Sequence, residues 1–169
     1  MPWSIRPLTV ADVADLLHVQ TICYGDDFLE SEAVFAQRLS CAHHCSVGMV
    51  QGGAGPLQAY LAAYWSNPGK ITPLDGVFAP PAAAEQVLYL HDMSVLPQWA
   101  GQGLARQLLG TAIAHAQARG VGHAALVSVQ GSQGYWERQG FAVHAVENVA
   151  QQQHLATYGD GAVYMVKAL

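Results

Sequence analysis

VLYLHDMSVLPQWAGQGLARQLLGTAIAHAQARG, residues 87–120, changes period part-way along. Val87 to Val95 is apolar, β-branched or aromatic at most positions and reads as a largely buried strand. Pro97 resists continuing it. Leu104, Ala105, Leu108, Leu109, Ala112, Ile113 and Ala116 then recur at helical spacing, which predicts a helix over Leu104–Ala118 closed by Arg119-Gly120. Ala124 to Val129 reads as a second buried strand, so the segment forms one β-α-β unit with its apolar helix stripe on the sheet.

Between strand and helix stands Leu96-Pro97-Gln98-Trp99-Ala100-Gly101-Gln102-Gly103-Leu104-Ala105-Arg106. Glycines at 101 and 103, with Ala105 beyond, let the backbone approach a ligand closely. The unpaired amides and positive dipole of the helix attract an anion, and a pyrophosphate fits that description. The glycines alone also fit an ordinary strand-to-helix turn. The three-glycine dinucleotide fingerprint is absent, and so is a phosphate-loop Lys-Ser or Lys-Thr pair.

Working outward, Trp3 to Leu8 reads as an opening strand, followed by a helix capped by Thr9 with Ala11, Val13, Leu16, Leu17 and Val19 as its apolar positions. Asp26-Asp27 marks a break. A second helix is expected over Ser31–Leu39, with Glu30 and Glu32 near its positive end. Ser46–Val50 and Leu57–Trp65 flank Gly52-Gly53-Ala54-Gly55-Pro56 as a hairpin. Residues Ser66 to Glu85 are rich in Pro, Gly and Ala and read as a long connecting loop. After the β-α-β unit come a short helix over Ser132–Gln139 and closing strands over Phe141–Val146 and Ala162–Ala168. The polar Glu147–Asp160 stretch carries no clear period.

Half of the chain is apolar (51%), enough to bury one core, so a single domain over residues 1–169 is expected. Seven Lys and Arg against 12 Asp and Glu give a net charge of −5, which argues against a nucleic-acid partner and weakly favours a cationic one. No apolar run has bilayer length and the N-terminus lacks a secretory pattern, so a soluble, cytoplasmic protein without a membrane partner is expected. Cys23, Cys41 and Cys45 are expected as reduced thiols. Cys41, His44 and Cys45 would share a helical face, but no second ligand pair accompanies them, so no metal is expected.

Leu90-His91-Asp92-Met93-Ser94-Val95-Leu96-Pro97, the glycine turn, and Tyr135-Trp136-Glu137-Arg138-Gln139-Gly140-Phe141 together resemble the GNAT superfamily of N-acetyltransferases. The resemblance implies a mixed α/β (α+β) fold: a central, mostly antiparallel mixed sheet of six to seven strands flanked by about four helices. It also implies acetyl-CoA as co-substrate. Met93, Ser94 and Val95 would line the pantetheine arm, and Gly101, Gln102, Gly103, Leu104, Ala105 and Arg106 the phosphates. Ala100 departs from the family, which usually has Arg or Gln there. Main-chain amides carry most phosphate contacts, so the departure weakens the match more than the site.

Amide formation from an amine and a thioester needs a base for the ammonium, a donor to the carbonyl and an acid for the leaving thiolate. Strict strand alternation puts Tyr89, His91, Met93 and Val95 on one face and Leu90, Asp92 and Ser94 on the other. His91 is the candidate base, since imidazole exchanges protons near neutral pH. Leu90-His91 also resembles the second half of the His-Leu-His motif of arylalkylamine N-acetyltransferases, with Tyr89 in place of the first histidine. Asp92 is the second choice, reachable only through a bulge. Backbone N–H groups near Ser94 and Val95 are candidate donors to the thioester oxygen. Tyr135 is the candidate acid, one residue before the position where the family commonly has Tyr and this chain has Trp136. Tyr24, Phe28, Tyr64 and Trp65, with the Lys70–Phe78 loop, flank the acceptor side and suit its walls, with ordinary core as the alternative for each aromatic; Asp26, Asp27 and Asp75 are either attractors of its charge or, more simply, solvated loop carboxylates.

The expected activity is transfer of an acetyl group from acetyl-CoA to a small, primary, possibly aromatic amine by direct attack. A non-catalytic acyl-CoA-binding module and acetylation of a protein N-terminus or lysine stand as alternatives, with a homodimer left open.

Overall fold

A computed structural model describes residues 1–82 and 84–169; the expected connection Ser66–Glu85 contains Ala83, which lies outside them. The elements run β1 (Trp3–Pro7), α1 (Val13–Tyr24), α2 (Glu32–Ser40), β2 (Val47–Gln51), β3 (Ala59–Ser66), β4 (Val87–Val95), α3 (Leu104–Ala118), β5 (His123–Ser128), α4 (Gln133–Arg138), β6 (Ala142–Val143), α5 (Val149–Ala156) and β7 (Val163–Ala168). The strands make one seven-stranded sheet in the order β1-β2-β3-β4-β5-β7-β6. Every neighbouring pair is antiparallel except β4–β5. The mostly antiparallel mixed sheet that the resemblance implies is present, flanked by five α-helices among the described residues where about four were expected.

Alternation along β3 explains how one sheet carries two layers. Ala59, Leu61, Ala63 and Trp65 face α3, where they meet its Leu104, Leu108, Leu109, Ala112 and Ala116. Each buried leucine there contributes about 1.5–3 kcal/mol, and this stripe fixes the glycine turn relative to β4. Tyr60 and Ala62 face the opposite layer, packing with Val13, Leu16 and Val19 of α1 and Phe35 and Leu39 of α2. Trp65 therefore lies on the α3 side, with the Arg119 guanidinium over its ring, and does not wall the acceptor as expected.

β4 breaks the alternation. Ala62 of β3 pairs with Asp92 but Ala63 pairs with Leu90, so His91 is an extra residue opposite the Ala62–Ala63 step. Such a bulge rotates everything beyond it by one side-chain position. Met93 consequently packs with Leu90 on the α3 side, while His91 and Asp92 both reach the layer of Tyr60 and Tyr64. The grouping of His91 with Met93 and Val95 expected from strict alternation is corrected accordingly.

The bulge also bends β4 away from β5. Their parallel pairing runs from Val87↔His123 to Leu90↔Leu126, yet β4 continues to Val95 and β5 to Ser128. The two strands fork, and residues 91–95 show their main chain to the gap.

Three local expectations differ from the structure. A 3-10 turn over Val10–Asp12 precedes α1, because the Asp12 carboxylate accepts the Thr9 N–H at 2.8 Å and pairs with Arg6 at 2.7 Å. The strand expected over Phe141–Val146 contracts to two residues. The unperiodic Glu147–Asp160 stretch contains α5, capped by the Asn148 side chain accepting the Gln151 N–H at 3.1 Å. None of its residues is buried, so no apolar stripe marked it.

The connection after β3 is strapped down from both sides. Gln151, His154 and Tyr158 bind the Ile71 N–H, the Ile71 carbonyl and the Thr72 carbonyl at 2.7, 2.6 and 2.6 Å. From α2, Gln37 bonds both the N–H and the carbonyl of Phe78, and Arg38 bonds the Gly76 carbonyl. Side chains satisfy the backbone here as a ladder would.

Candidate functional site

Two cavities meet along the fork. One, of about 270 Å³, is lined by Leu90, His91, Asp92 and Met93 of β4, Leu126 and Val127 of β5, and Tyr135 and Trp136 of α4. The other, of about 660 Å³, lies against the start of α3, between Val95, Trp99, Ala100, Gly101, Gly103, Leu104, Ala105 and Arg106 and the α4 residues Tyr135 and Arg138. Tyr135 lines both, so the two cavities adjoin at its side chain and are together called the channel.

Gly101 and Gly103 have φ of +76° and +81°, and Gly103 is the left-handed N-cap of α3. Side chains rarely adopt that conformation, so the turn needs glycine for its backbone. No atom lies within 4 Å of where a Cβ would sit on either. The first-turn amides of α3 have no intrahelical acceptor and carry the positive end of its dipole. An extended polyanion with an amide-bearing arm fits this arrangement: phosphates at the α3 turn, the arm along the exposed β4 main chain. Of the expected coenzyme contacts, Met93, Val95, Gly101, Gly103, Leu104, Ala105 and Arg106 line the channel. The Ser94 side chain turns the other way, where its hydroxyl donates to Asp92 at 3.4 Å, so only its main chain is available. Gln102 does not line the channel.

His91 stands at the fork with its side chain 1% exposed. Its Nε2 lies 2.9 Å from Glu30 Oε1. Glu30, expected only near the positive end of α2, has a carboxylate 3% exposed whose Oε2 accepts from Arg38 at 2.6 Å and from the Asp75 N–H at 2.9 Å. Burial pushes the Glu30 carboxyl up, and His91 and Arg38 outweigh it, holding the carboxyl well below its usual range. Asp92 shares the face but is occupied: the Tyr24 hydroxyl donates to Oδ1 at 2.7 Å and the Tyr60 hydroxyl donates to Oδ2. Burial raises its carboxyl despite these donors.

A smaller cavity of about 30 Å³ adjoins His91 on the side away from α3, lined by Tyr24, Phe28, Glu30, Leu74, Val127, Val129 and Tyr158. Tyr24 and Phe28 were expected here; Tyr158 and Glu30 were not. Tyr64 is buried beside His91, ring centroids 5.8 Å apart, and does not line the cavity. Asp75 is tied up with the Ser31 N–H at 2.7 Å, and Asp26 and Asp27 are exposed. Of Phe28, Asp75 and Gln130, the non-glycine residues at positive φ among those described, Phe28 and Gln130 line these cavities and Asp75 donates its N–H to Glu30. Strain of about 1–3 kcal/mol each is held there by the surroundings.

Tyr135 and Trp136 divide along α4. Trp136 packs edge-on against Phe141, centroids 5.5 Å apart, within the α3-side core. Tyr135 is half-buried, packs edge-on against Trp136 with ring centroids 5.0 Å apart, and lines both cavities. Cys41 terminates α2, so Cys41, His44 and Cys45 do not share a helical face.

Residues 13–141 match the family model described as Acetyltransferase (GNAT) family. The chain belongs to this family. Among solved structures, the ribosomal-protein-S18-alanine N-acetyltransferase of Escherichia coli is similar at 19% identity and a TM-score of 0.71, covering 99% of this chain and 94% of that one. PaiA N-acetyltransferase from Thermoplasma acidophilum, in complex with coenzyme A, is similar at 14% identity and 0.69, covering 100% of both. A GNAT-like decarboxylase, GphF, in complex with isobutyryl-CoA, is similar at 14% identity and 0.73, covering 98% of both. At these identities the likeness is one of fold. No curated protein matches in sequence.

Proposed function

We propose that this GNAT protein is an acetyl-CoA-dependent N-acetyltransferase acting on a small primary amine. The observation that carries the reading is the pair of adjoining cavities, one against the α3 glycine turn and one at the β4–β5 fork with His91 in its lining. The donor supplies an activated thioester. The α3 amides, with Gly101, Gly103, Leu104, Ala105 and Arg106, hold its phosphates, and the main chain of Met93, Ser94 and Val95 holds the arm that brings the thioester to the fork.

At the fork, His91 accepts a proton from the ammonium group, leaving a neutral amine to attack the acetyl carbonyl. Main-chain N–H groups of β4 near Ser94 and Val95 stabilise the charge gathering on the carbonyl oxygen. The carbon–sulfur bond breaks as the carbon–nitrogen bond forms, Tyr135 protonates the departing thiolate, and the proton that the nitrogen sheds on becoming an amide restores the Tyr135 hydroxyl. The acceptor enters from the side of Tyr24, Phe28 and Tyr158. The strapped connection roofs that side with Leu74, and the roof favours a small amine over a peptide.

Thiol release from acetyl-CoA across a panel of aromatic monoamines, polyamines and peptides tests the reading. Turnover with small monoamines is expected. Turnover with peptides alone would make the protein a protein acetyltransferase, and coenzyme binding without any turnover would make it a binding module.

A further inference from the structure

The His91 side chain is bonded from one side only. Nε2 meets Glu30, while Nδ1 is buried and has no hydrogen-bond partner among the described residues. Glu30, in turn, is gripped by three segments. Gln20 of α1 bonds both the Glu30 carbonyl, at 2.8 Å, and the Glu30 N–H, at 3.0 Å. Arg38 of α2 and the Asp75 N–H of the strap both donate to Oε2. The side chain that touches His91 is therefore fixed in position, ionised, and presents Oε1 as a pure acceptor.

An acceptor fixes a neutral imidazole's tautomer. A carboxylate oxygen 2.9 Å from Nε2 requires the proton to sit on Nε2, which leaves the lone pair on Nδ1. From this geometry we infer that Glu30 is a positioning residue for His91, that Arg38 positions Glu30, and that Nδ1 is the nitrogen that takes the substrate proton. The inference rests on the transferase reading for its catalytic consequence but not for the tautomer itself.

Glu30→Gln gives a specific expectation. Arg38 and the Asp75 amide are both donors, so the Gln oxygen must face them, and its NH₂ is then left facing Nε2. Nε2 must become the acceptor and the proton moves to Nδ1, occupying the lone pair that catalysis needs. This is the logic by which an amide in place of the triad carboxylate gives serine proteases the wrong tautomer. The groups facing the imidazole across this change are Glu30 from the α1–α2 connection, Arg38 from α2, Tyr24 from α1, Tyr64 from β3, Tyr89 and Asp92 from β4, and Tyr158 beyond α5.

The test is a nitrogen-15 NMR titration of the full chain labelled at histidine, with His91 assigned by its Gln variant. At the alkaline end the wild type is expected to show Nε2 protonated and Nδ1 bare, and Glu30→Gln the reverse. Steady-state assays should show kcat of Glu30→Gln lowered by roughly 100-fold or more, the loss typical of a misplaced base, while Glu30→Asp, which keeps an ionised acceptor, recovers part of it. A wild-type Nδ1–H tautomer overturns the inference whether or not any variant folds. So does an unchanged tautomer, kcat and pH profile in Glu30→Gln. The expected tautomers without turnover on any amine would instead sink the transferase reading, leaving the positioning geometry intact.

Discussion

Replacing His91 by Gln removes a proton acceptor while nearly keeping side-chain size. The rate is expected to fall roughly 10²- to 10⁴-fold, with the limb that reports the base lost from the pH profile of kcat/KM; an unchanged profile would rule out His91 as base. Tyr60→Phe probes its neighbour. It strips Asp92 Oδ2 of the Tyr60 hydroxyl in a buried setting, which should destabilise the fold by about 1–3 kcal/mol in denaturant titration, while Tyr24 still serves Oδ1. His91 was legible as a candidate because it sits in a motif beside a glycine turn. Glu30 was not, because it lies 61 positions away and only folding brings it to His91. Arg38 and Tyr158 were hidden for the same reason: each is an unremarkable residue of a helix or helix end until three segments converge. Trp65 does not share the face of Tyr64, because adjacent strand residues point to opposite sides of the sheet.

At the scale of elements, β4 and α3 do most of the positioning. The strand, the turn and the helix were readable because each has a local signature: a run of β-formers, two glycines, and a 3.6-residue stripe. The bulge had no such signature. It depends on the register of β3 against β4, which a single strand's alternation does not contain, and it moves His91 and Asp92 onto one face. The turn makes a separate claim. Gly103→Glu places a side chain on a residue at φ +81° and a carboxylate at the proposed phosphate site. Calorimetry should detect no coenzyme A binding to this variant, with far-UV circular dichroism like that of the wild type. Binding at wild-type affinity would refute the assignment of the turn.

For the molecule as a whole, buried and paired carboxylates set the response to acid. Glu30 is held below its ordinary range by His91 and Arg38 against the effect of burial, and Asp12 by its hydrogen bond from Arg6. A carboxyl whose folded pKa is depressed stabilises the fold fully above its unfolded pKa and loses that contribution as pH falls toward its folded value. Asp92, raised by burial, acts in the opposite sense: its contribution is present at low pH and fades as pH rises. With the depressed groups in the majority, Tm should fall progressively on acidification from about pH 5 toward about pH 2. A Tm that is flat or rises over that window would contradict the buried ion-pair arrangement.

The cavities, the turn and His91 are proposed as parts of one reaction, which amine-dependent release of thiol from acetyl-CoA reads directly. Run side by side, the wild type is expected to release thiol at a rate that depends on a small primary amine, and Gly103→Glu to release none above background. Wild-type protein that binds acetyl-CoA by calorimetry yet releases no thiol with any amine would contradict the account.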